Sequence, residues 1–440
     1  MNSLSLNSTS SLSEWLQYLE SLHPKEIDLG LDRVKRVANQ MDLYSKIASL
    51  GATIITVAGT NGKGSCVSTL ESLLLAANKT VGTYTSPHFL EYNERIRLGG
   101  ANASDEKIVS AFCEIEKSRE GIRLTYFEFG TLAAIWLFLD SKIDIFVLEV
   151  GLGGRLDAVN AFDPDIAVMT SVALDHQDWL GNDREIIGFE KAGIFRSNKP
   201  ALCVDDAPPQ SVIDYAKKIN VDFYLKGREI KWAIENHLFS WQGIDTQKNK
   251  IFLENLPVPT LPMPSVAAAL QAVVLLGCDL TELPIKKILS TLSLTGRAQE
   301  IKIDGKRILL DVAHNPAAAL YLRETLKSKK AKRIIAVFAV MADKDYKSIF
   351  KTLDDQINYW FVSGIPNVSR AESSKKLGTS LVQLGLDGSS YDTVLDSFSA
   401  ALSEATADDL IVVLGSFYTV ADILNNYSSD SLTKSEKLKK

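Results

Sequence analysis

From Ala52 onward, short apolar runs rich in β-branched residues alternate with stretches of helical periodicity. TIITVAG (53–59), IFVLEVG (145–151) and IAVMTSVA (166–173) lack the polar alternation of a strand with one wet face. Runs buried on both faces predict parallel strands joined by helical crossovers, hence an α/β fold. The Pro-rich stretch LPVPTLPMP (256–264) breaks the pattern, and a helix is expected from about Ser265 to Leu276. A second strand series follows, with ILLDVA (308–313), RIIAVFAV (333–340), YWFVSG (359–364) and LIVVLGS (410–416). Two domains are therefore expected, residues 1–296 and a smaller one, 297–440. The polar first dozen residues and SSDSLTKSEKLKK (428–440) are expected to fray.

Composition narrows the function. A chain of 440 residues, 46% apolar, can bury two or three cores. The formal net charge of −6 provides no overall basic field, so neither nucleic acid nor a membrane surface is expected as partner. Cys66, Cys113, Cys203 and Cys278 are far apart, with no C-x-x-C pair, so neither a zinc knuckle nor a disulfide framework is suggested, and a reducing, cytoplasmic setting fits. The opening MNSLSLNSTSSLSEWL has no basic n-region, so no secretory signal is expected. The most apolar stretch, 133–150, is cut by Asp140, Lys142 and Asp144 and reads as core rather than a membrane span.

The strongest chemical signal is VAGTNGKGS (57–65), set between a β-run and a helical run. Gly59, Gly62 and Gly64 are expected to let the backbone turn its N–H groups inward. Lys63 supplies a charge for the phosphates and Ser65 a hydroxyl for a metal. The spacing departs from G-x-x-x-x-G-K-[ST]: only two residues, not four, separate Gly59 from Gly62, and Gly64 follows the lysine. Cys66 reads as a small buried filler. Glu149 lies in the apolar LEVG, where a carboxylate is costly to bury unless paired or metal-bound. Ser86 is expected on a strand-end loop, and His176 after another β-run. Lys191 reads as a solvated helix lysine paired with Glu190, Asp28 and Asp311 as helix caps, and Asp157 as a turn residue.

These segments occur together in one order. VAGTNGKGS, TSPHF (85–89), YNERIR (92–97), TYFEFGTLA (125–133), LEVGLGGRLDAVN (148–160), ALDHQDWLG (173–181), EKAGIFRSNKP (190–200) and DVAHNP (311–316) resemble the folate branch of the Mur ligase superfamily. The resemblance runs from about residue 12 to 425. It implies a P-loop ATPase-like parallel-sheet N-terminal domain with a smaller Rossmann-like α/β C-terminal domain. It implies an ATP-dependent ligase that joins L-glutamate to dihydropteroate and to reduced folates, with addition to reduced folates alone as the alternative. The chemistry expected is an acyl phosphate, and the working unit expected is a monomer.

The resemblance also implies roles. Ser86, Glu149 and His176 would hold Mg²⁺, one ion or two, and Lys191 would join them as a carbamate. His176 is the candidate base for the glutamate amine. Gly59, Thr60, Asn61, Gly62, Lys63, Gly64, Ser65, Ser265, Arg297, Asp311, His314 and Asn315 would contact ATP. Asp28, Thr125, Tyr126, Phe127, Glu128, Leu156, Asp157 and Ala158 would surround the pteroate. The chain departs from the family at TGRAQ (295–299), where Ala298 replaces an aromatic, at Ser265, where relatives carry Asn, and at Val159 in DAVN.

Overall fold

The computed structural model describes residues 6–23, 25 and 27–436. The chain divides into two units, Met1–Leu292 and Ser293–Lys440.

The first unit is built on eight strands: β1 (Thr53–Ala58), β2 (Val81–Tyr84), β3 (Ile96–Leu98), β4 (Ala101–Asn102), β5 (Ile145–Glu149), β6 (Ile166–Met169), β7 (Pro200–Cys203) and β8 (Asp222–Leu225). They lie in the order β4-β3-β2-β5-β1-β6-β7-β8. The pairs from β2 to β8 are parallel; β3 and β4 are antiparallel additions at one edge. All residues of β2, β5 and β6 are buried, as their unbroken apolar character requires. The apolar stretch 133–150 resolves into the end of helix Tyr126–Asp140 and strand β5. Phe138 packs on Phe146, and Phe112 on Phe129, within one core. The helix Leu12–Leu22 starts at Ser11 with a capping box to Glu14 and buries Trp15 in that core.

A three-stranded antiparallel sheet, β9 (Lys231–Glu235), β10 (Leu238–Ile244) and β11 (Lys250–Pro257), was not anticipated. Its last strand enters the Pro-rich stretch. Buried Trp241 on β10 donates from Nε1 to Ala267 O at 3.2 Å, which ties the sheet to helix Met263–Leu275. Ser265 lies in the first turn of that helix, which begins two residues before the expected start.

The second unit holds six strands, β12 (Gln299–Ile303), β13 (Lys306–Leu310), β14 (Ile334–Phe338), β15 (Tyr359–Ser363), β16 (Gly388–Tyr391) and β17 (Leu410–Leu414), in the order β12-β13-β17-β14-β15-β16. Only β12 runs antiparallel. Trp360 packs edge to face with Phe338 and Phe350 in its core. Helix Phe417–Glu436 extends into the C-terminal segment expected to fray. Residues 1–5 and 437–440 of the expected frayed ends lie outside the described residues. Among the described residues no helix is long and apolar enough to cross a membrane.

Candidate active site

Strands that enter a sheet in parallel deliver their following loops to one edge, where ligands of open α/β sheets bind. In the first unit β1 ends at Ala58 between β5 and β6, with Val57 level with Glu149 and Ala58 level with Met169. The loops after β1, β2, β5 and β6 carry the candidate residues.

The loop 59–62 is laced to the segment after β6. Thr60 N donates to Ser171 O at 2.8 Å, Asn61 N to Ser171 Oγ at 3.0 Å, and Thr170 Oγ1 to Asn61 O at 2.7 Å. Ser265 Oγ donates to Gly62 O at 2.9 Å. Gly62 has φ 87°, and a Cβ there would meet Ser265 Oγ at 2.5 Å. Gly64 is corrected from a turn residue to the second residue of helix Lys63–Ala76. Lys63 Nζ donates to Gly59 O at 3.1 Å and Thr60 O at 3.4 Å, so the cation is held over its own loop. Ser65 Oγ is buried and has no hydrogen-bond partner. An orphaned hydroxyl in the first turn after a phosphate-type lysine fits a metal–phosphate group, because leaving it unmade costs about 1–3 kcal/mol. Cys66 is buried, and burial pushes its thiol up, as a filler requires.

Glu149 ends β5 and is buried; its Oε2 accepts the Ser86 N–H at 3.3 Å. His176 takes the left-handed conformation, φ 51°, at the start of the short helix Gln177–Leu180, and its N–H donates to the buried Asp175 at 2.9 Å. Among the described residues no group of three or more His, Cys, Asp or Glu side chains forms a metal cluster. A metal held here by Glu149 and His176 would need further ligands, such as serine hydroxyls and nucleotide oxygens.

Lys191 differs most from its plain reading. It is buried in helix Arg184–Ala192, while Glu190 pairs instead with Arg155 at 2.8 Å. Burial, reinforced by the cation of Lys63, pulls its amine down to about 7 against the pull of Asp175 and Asp157. Burial likewise raises the Asp157 carboxyl to about 7, although Leu152 N, at 2.8 Å, and Val159 N, at 3.0 Å, donate to it. Asp157 thus has the turn role expected of it, and it shares its surroundings with both lysines.

The pteroate candidates come from three places. Phe127 is half-buried against Tyr84, ring centroids 5.6 Å apart, and its ring lies over Gly151, where a Cβ would come within 2.8 Å. Thr125 and Glu128 form a capping box at the start of helix Tyr126–Asp140. Tyr126 stacks under Arg95, 5.5 Å from ring to guanidinium. Leu156 O accepts from Gly30 N at 3.2 Å, and Ala158 is buried in the turn after Asp157. Asp28 is not a helix cap. The helix Asp32–Gln40 starts at Leu31 without one, and Asp28 binds Arg33 at 2.7 Å. Arg33 and Asp175 escaped the sequence reading, because an arginine in a polar helix and an aspartate beside a histidine read as solvated.

In the second unit Asp311 follows β13. Its carboxylate accepts from Ala298 N at 2.9 Å and Ala313 N at 2.8 Å, and burial raises it despite the adjacent Arg297. The cap of helix Pro316–Lys327 is Asn315, not Asp311. His314 Nδ1 lies 2.7 Å from Val312 O. Arg297 lies over the Phe417 ring at 5.2 Å.

Fold and site define a class. The family model described as the Mur ligase middle domain matches residues 57–259, and that of the Mur ligase glutamate ligase domain matches 296–417. The Escherichia coli dihydrofolate synthase/folylpolyglutamate synthase is 42% identical over 94% of this chain and 95% of its own length. The E. coli FolC structure in complex with DHPP and ADP superposes with a TM-score of 0.88 at 40% identity, over 98% of this chain and 99% of that one. A bifunctional folylpolyglutamate synthase/dihydrofolate synthase with Mn, AMPPNP and L-glutamate bound gives 0.86 at 40% identity, over 95% and 98%. The chain belongs to the Mur ligase family and, within it, to the dihydrofolate synthase/folylpolyglutamate synthases.

Proposed function

We propose that the chain forms an amide between L-glutamate and dihydropteroate, and adds glutamate to reduced folates, at the expense of ATP. The observation that carries this reading is the pairing of Lys63 and orphaned Ser65, in the first turn after the β1 loop, with buried Lys191, whose amine feels the Lys63 cation.

A carboxylate is a poor electrophile. The acceptor's carboxylate oxygen attacks the γ-phosphorus of ATP, the bond to the ADP oxygen breaks, and an acyl phosphate results. We take Lys63 as the group that neutralises charge on the transferred phosphoryl group, and Arg297 of the second unit as a further contact to ATP. The glutamate amine then attacks the acyl carbon, phosphate leaves with the electron pair, and the amine's proton passes to a base. A divalent metal, which we take to be Mg²⁺, would supply charge neutralisation at the phosphates; Ser65, Ser86, Glu149 and His176 are the residues that would hold it.

Lys191 fits carbamylation. Its buried amine is held toward neutrality, so it can attack CO₂, form an N–C bond and release a proton. The resulting carboxylate would be an added oxygen ligand. Domain roles follow: 1–296 for nucleotide and pteroate, 297–440 for further contacts to ATP and glutamate. The four free cysteines suit the cytoplasm as the setting.

A coupled phosphate-release assay tests the reading. Turnover is expected with ATP, glutamate and dihydropteroate together, and again with tetrahydrofolate as acceptor. Turnover with tetrahydrofolate alone would leave only the second activity, and silence with both acceptors would end the ligase reading.

A further inference from the structure

Three stretches expected to hold the pteroate, around residues 28, 125–128 and 156–158, lie far apart in sequence. One guanidinium and one backbone bond join them. Arg33 donates from Nη1 to Asp28 Oδ2 at 2.7 Å and from Nη2 to the Asp28 carbonyl at 2.6 Å. Its Nε donates to Glu128 Oε1 at 3.2 Å and Oε2 at 3.3 Å, and Nη2 reaches Oε1 at 3.1 Å. Gly30 N, two residues along, donates to Leu156 O at 3.2 Å.

Arg33 sits in the first turn of helix Asp32–Gln40, where the helix dipole disfavours a cation. A position unfavourable in local terms is kept by its tertiary bonds. Those bonds also divide the labour between the two carboxylates. Glu128 has a side chain only 4% exposed, and both its oxygens are engaged, Oε2 also accepting Thr125 N at 2.8 Å. Asp28 spends Oδ2 on Arg33, whereas Oδ1 meets, among the described residues, only Lys25 Nζ at 3.7 Å.

We infer that Arg33 is a positioning residue of the pteroate pocket: it fixes segment 27–31 against helix Tyr126–Asp140 and aims Asp28 Oδ1 at the ring-edge N–H donors of a pterin. Glu128 is then a support for Arg33 and not a ligand. The inference rests on the pteroate reading of these stretches.

The test measures steady-state kinetics and melting temperature on full-length variants. Arg33→Ala raises KM for dihydropteroate by about tenfold or more, since small misplacements of a binding group are costly, and leaves kcat and KM for ATP within about twofold. Arg33→Lys, a point charge in place of a planar fork, falls between wild type and Arg33→Ala. Loss of the cation also strands Glu128, so the melting temperature falls. The double variant Arg33→Met/Glu128→Gln removes that stranded charge and keeps the capping box. Its melting temperature recovers while KM for dihydropteroate stays raised. Recovery of both together would overturn the positioning role. If Asp28→Asn binds dihydropteroate like wild type, the pocket reading itself fails; if Asp28→Asn raises KM and the double variant does not, only the role of Arg33 is lost.

Discussion

The two sheets both end their central strands in charged loops, and they hold that charge in different ways. After β1, backbone and hydroxyl groups of Thr60, Thr170, Ser171 and Ser265 lace the phosphate loop into one shape, and Lys63 folds back over the loop carbonyls. After β13 and β17, the shape depends on side chains: Asp311 gathers two N–H groups and Arg297 rests on Phe417. A cradle built from backbone answers to substitution in all-or-none fashion, whereas one built from stacked side chains should answer by degrees.

The largest effect expected is at Lys63. Lys63→Ala removes about a thousandfold or more of ligation rate, as loss of a charge aimed at a developing phosphoryl group does. Its melting temperature should stay near wild type, because the side chain is only half-buried; near-normal phosphate release would break the comparison at its root. The graded side is read at Arg297. Arg297→Ala is expected to cost about a hundredfold in kcat/KM, and Phe417→Leu no more than about tenfold, the worth of a cation–π contact. Equal losses would show that Phe417 does more than support Arg297.

Glycines sharpen the contrast in stability. Gly62→Ala must adopt a positive φ and push Ser265 aside, so it should lose about 2 kcal/mol or more, with nucleotide binding. Gly385→Ala, at φ 71° with nothing within 4 Å, should cost about 1 kcal/mol and leave catalysis alone. Urea unfolding of both, with ADP titration, measures the difference. The smallest effect is pH-dependent. The folded-state Asp157 carboxyl, near 7, lies above its ordinary 3.8, so its contribution to stability is complete below the ordinary value and fades as pH rises through 7. Wild type should therefore lose stability relative to Asp157→Asn between pH 4 and pH 7. A difference independent of pH would show that the carboxyl is not held in this way.

Much of the fold was open to reading because parallel strands advertise themselves. β5, β6, β14 and β17 are uniformly buried, so each reads as an apolar run; the limits agree to within a residue or two for β5, β14 and β17, whereas the run 166–173 overshoots β6 by four residues. The antiparallel sheet β9–β11 was missed because its faces differ: exposed Ile234, Leu238 and Phe252 blur the alternation, and prolines follow. β12 escaped for the same reason, with only Ile303 buried. The phosphate loop was legible because its glycines and lysine are local. The state of Lys191 was not, since its burial near Lys63 and Asp157 is produced by segments distant in sequence. Arg33 was invisible on the same grounds: its meaning lies in Glu128.

The bond from Ser265 to Gly62 has a temporal side. It spans 203 positions, and helix Met263–Leu275 must exist before it can close. A growing chain can therefore align β1, β5 and β6 well before its nucleotide cradle is locked. Closing that loop becomes a late event in the birth of the first unit.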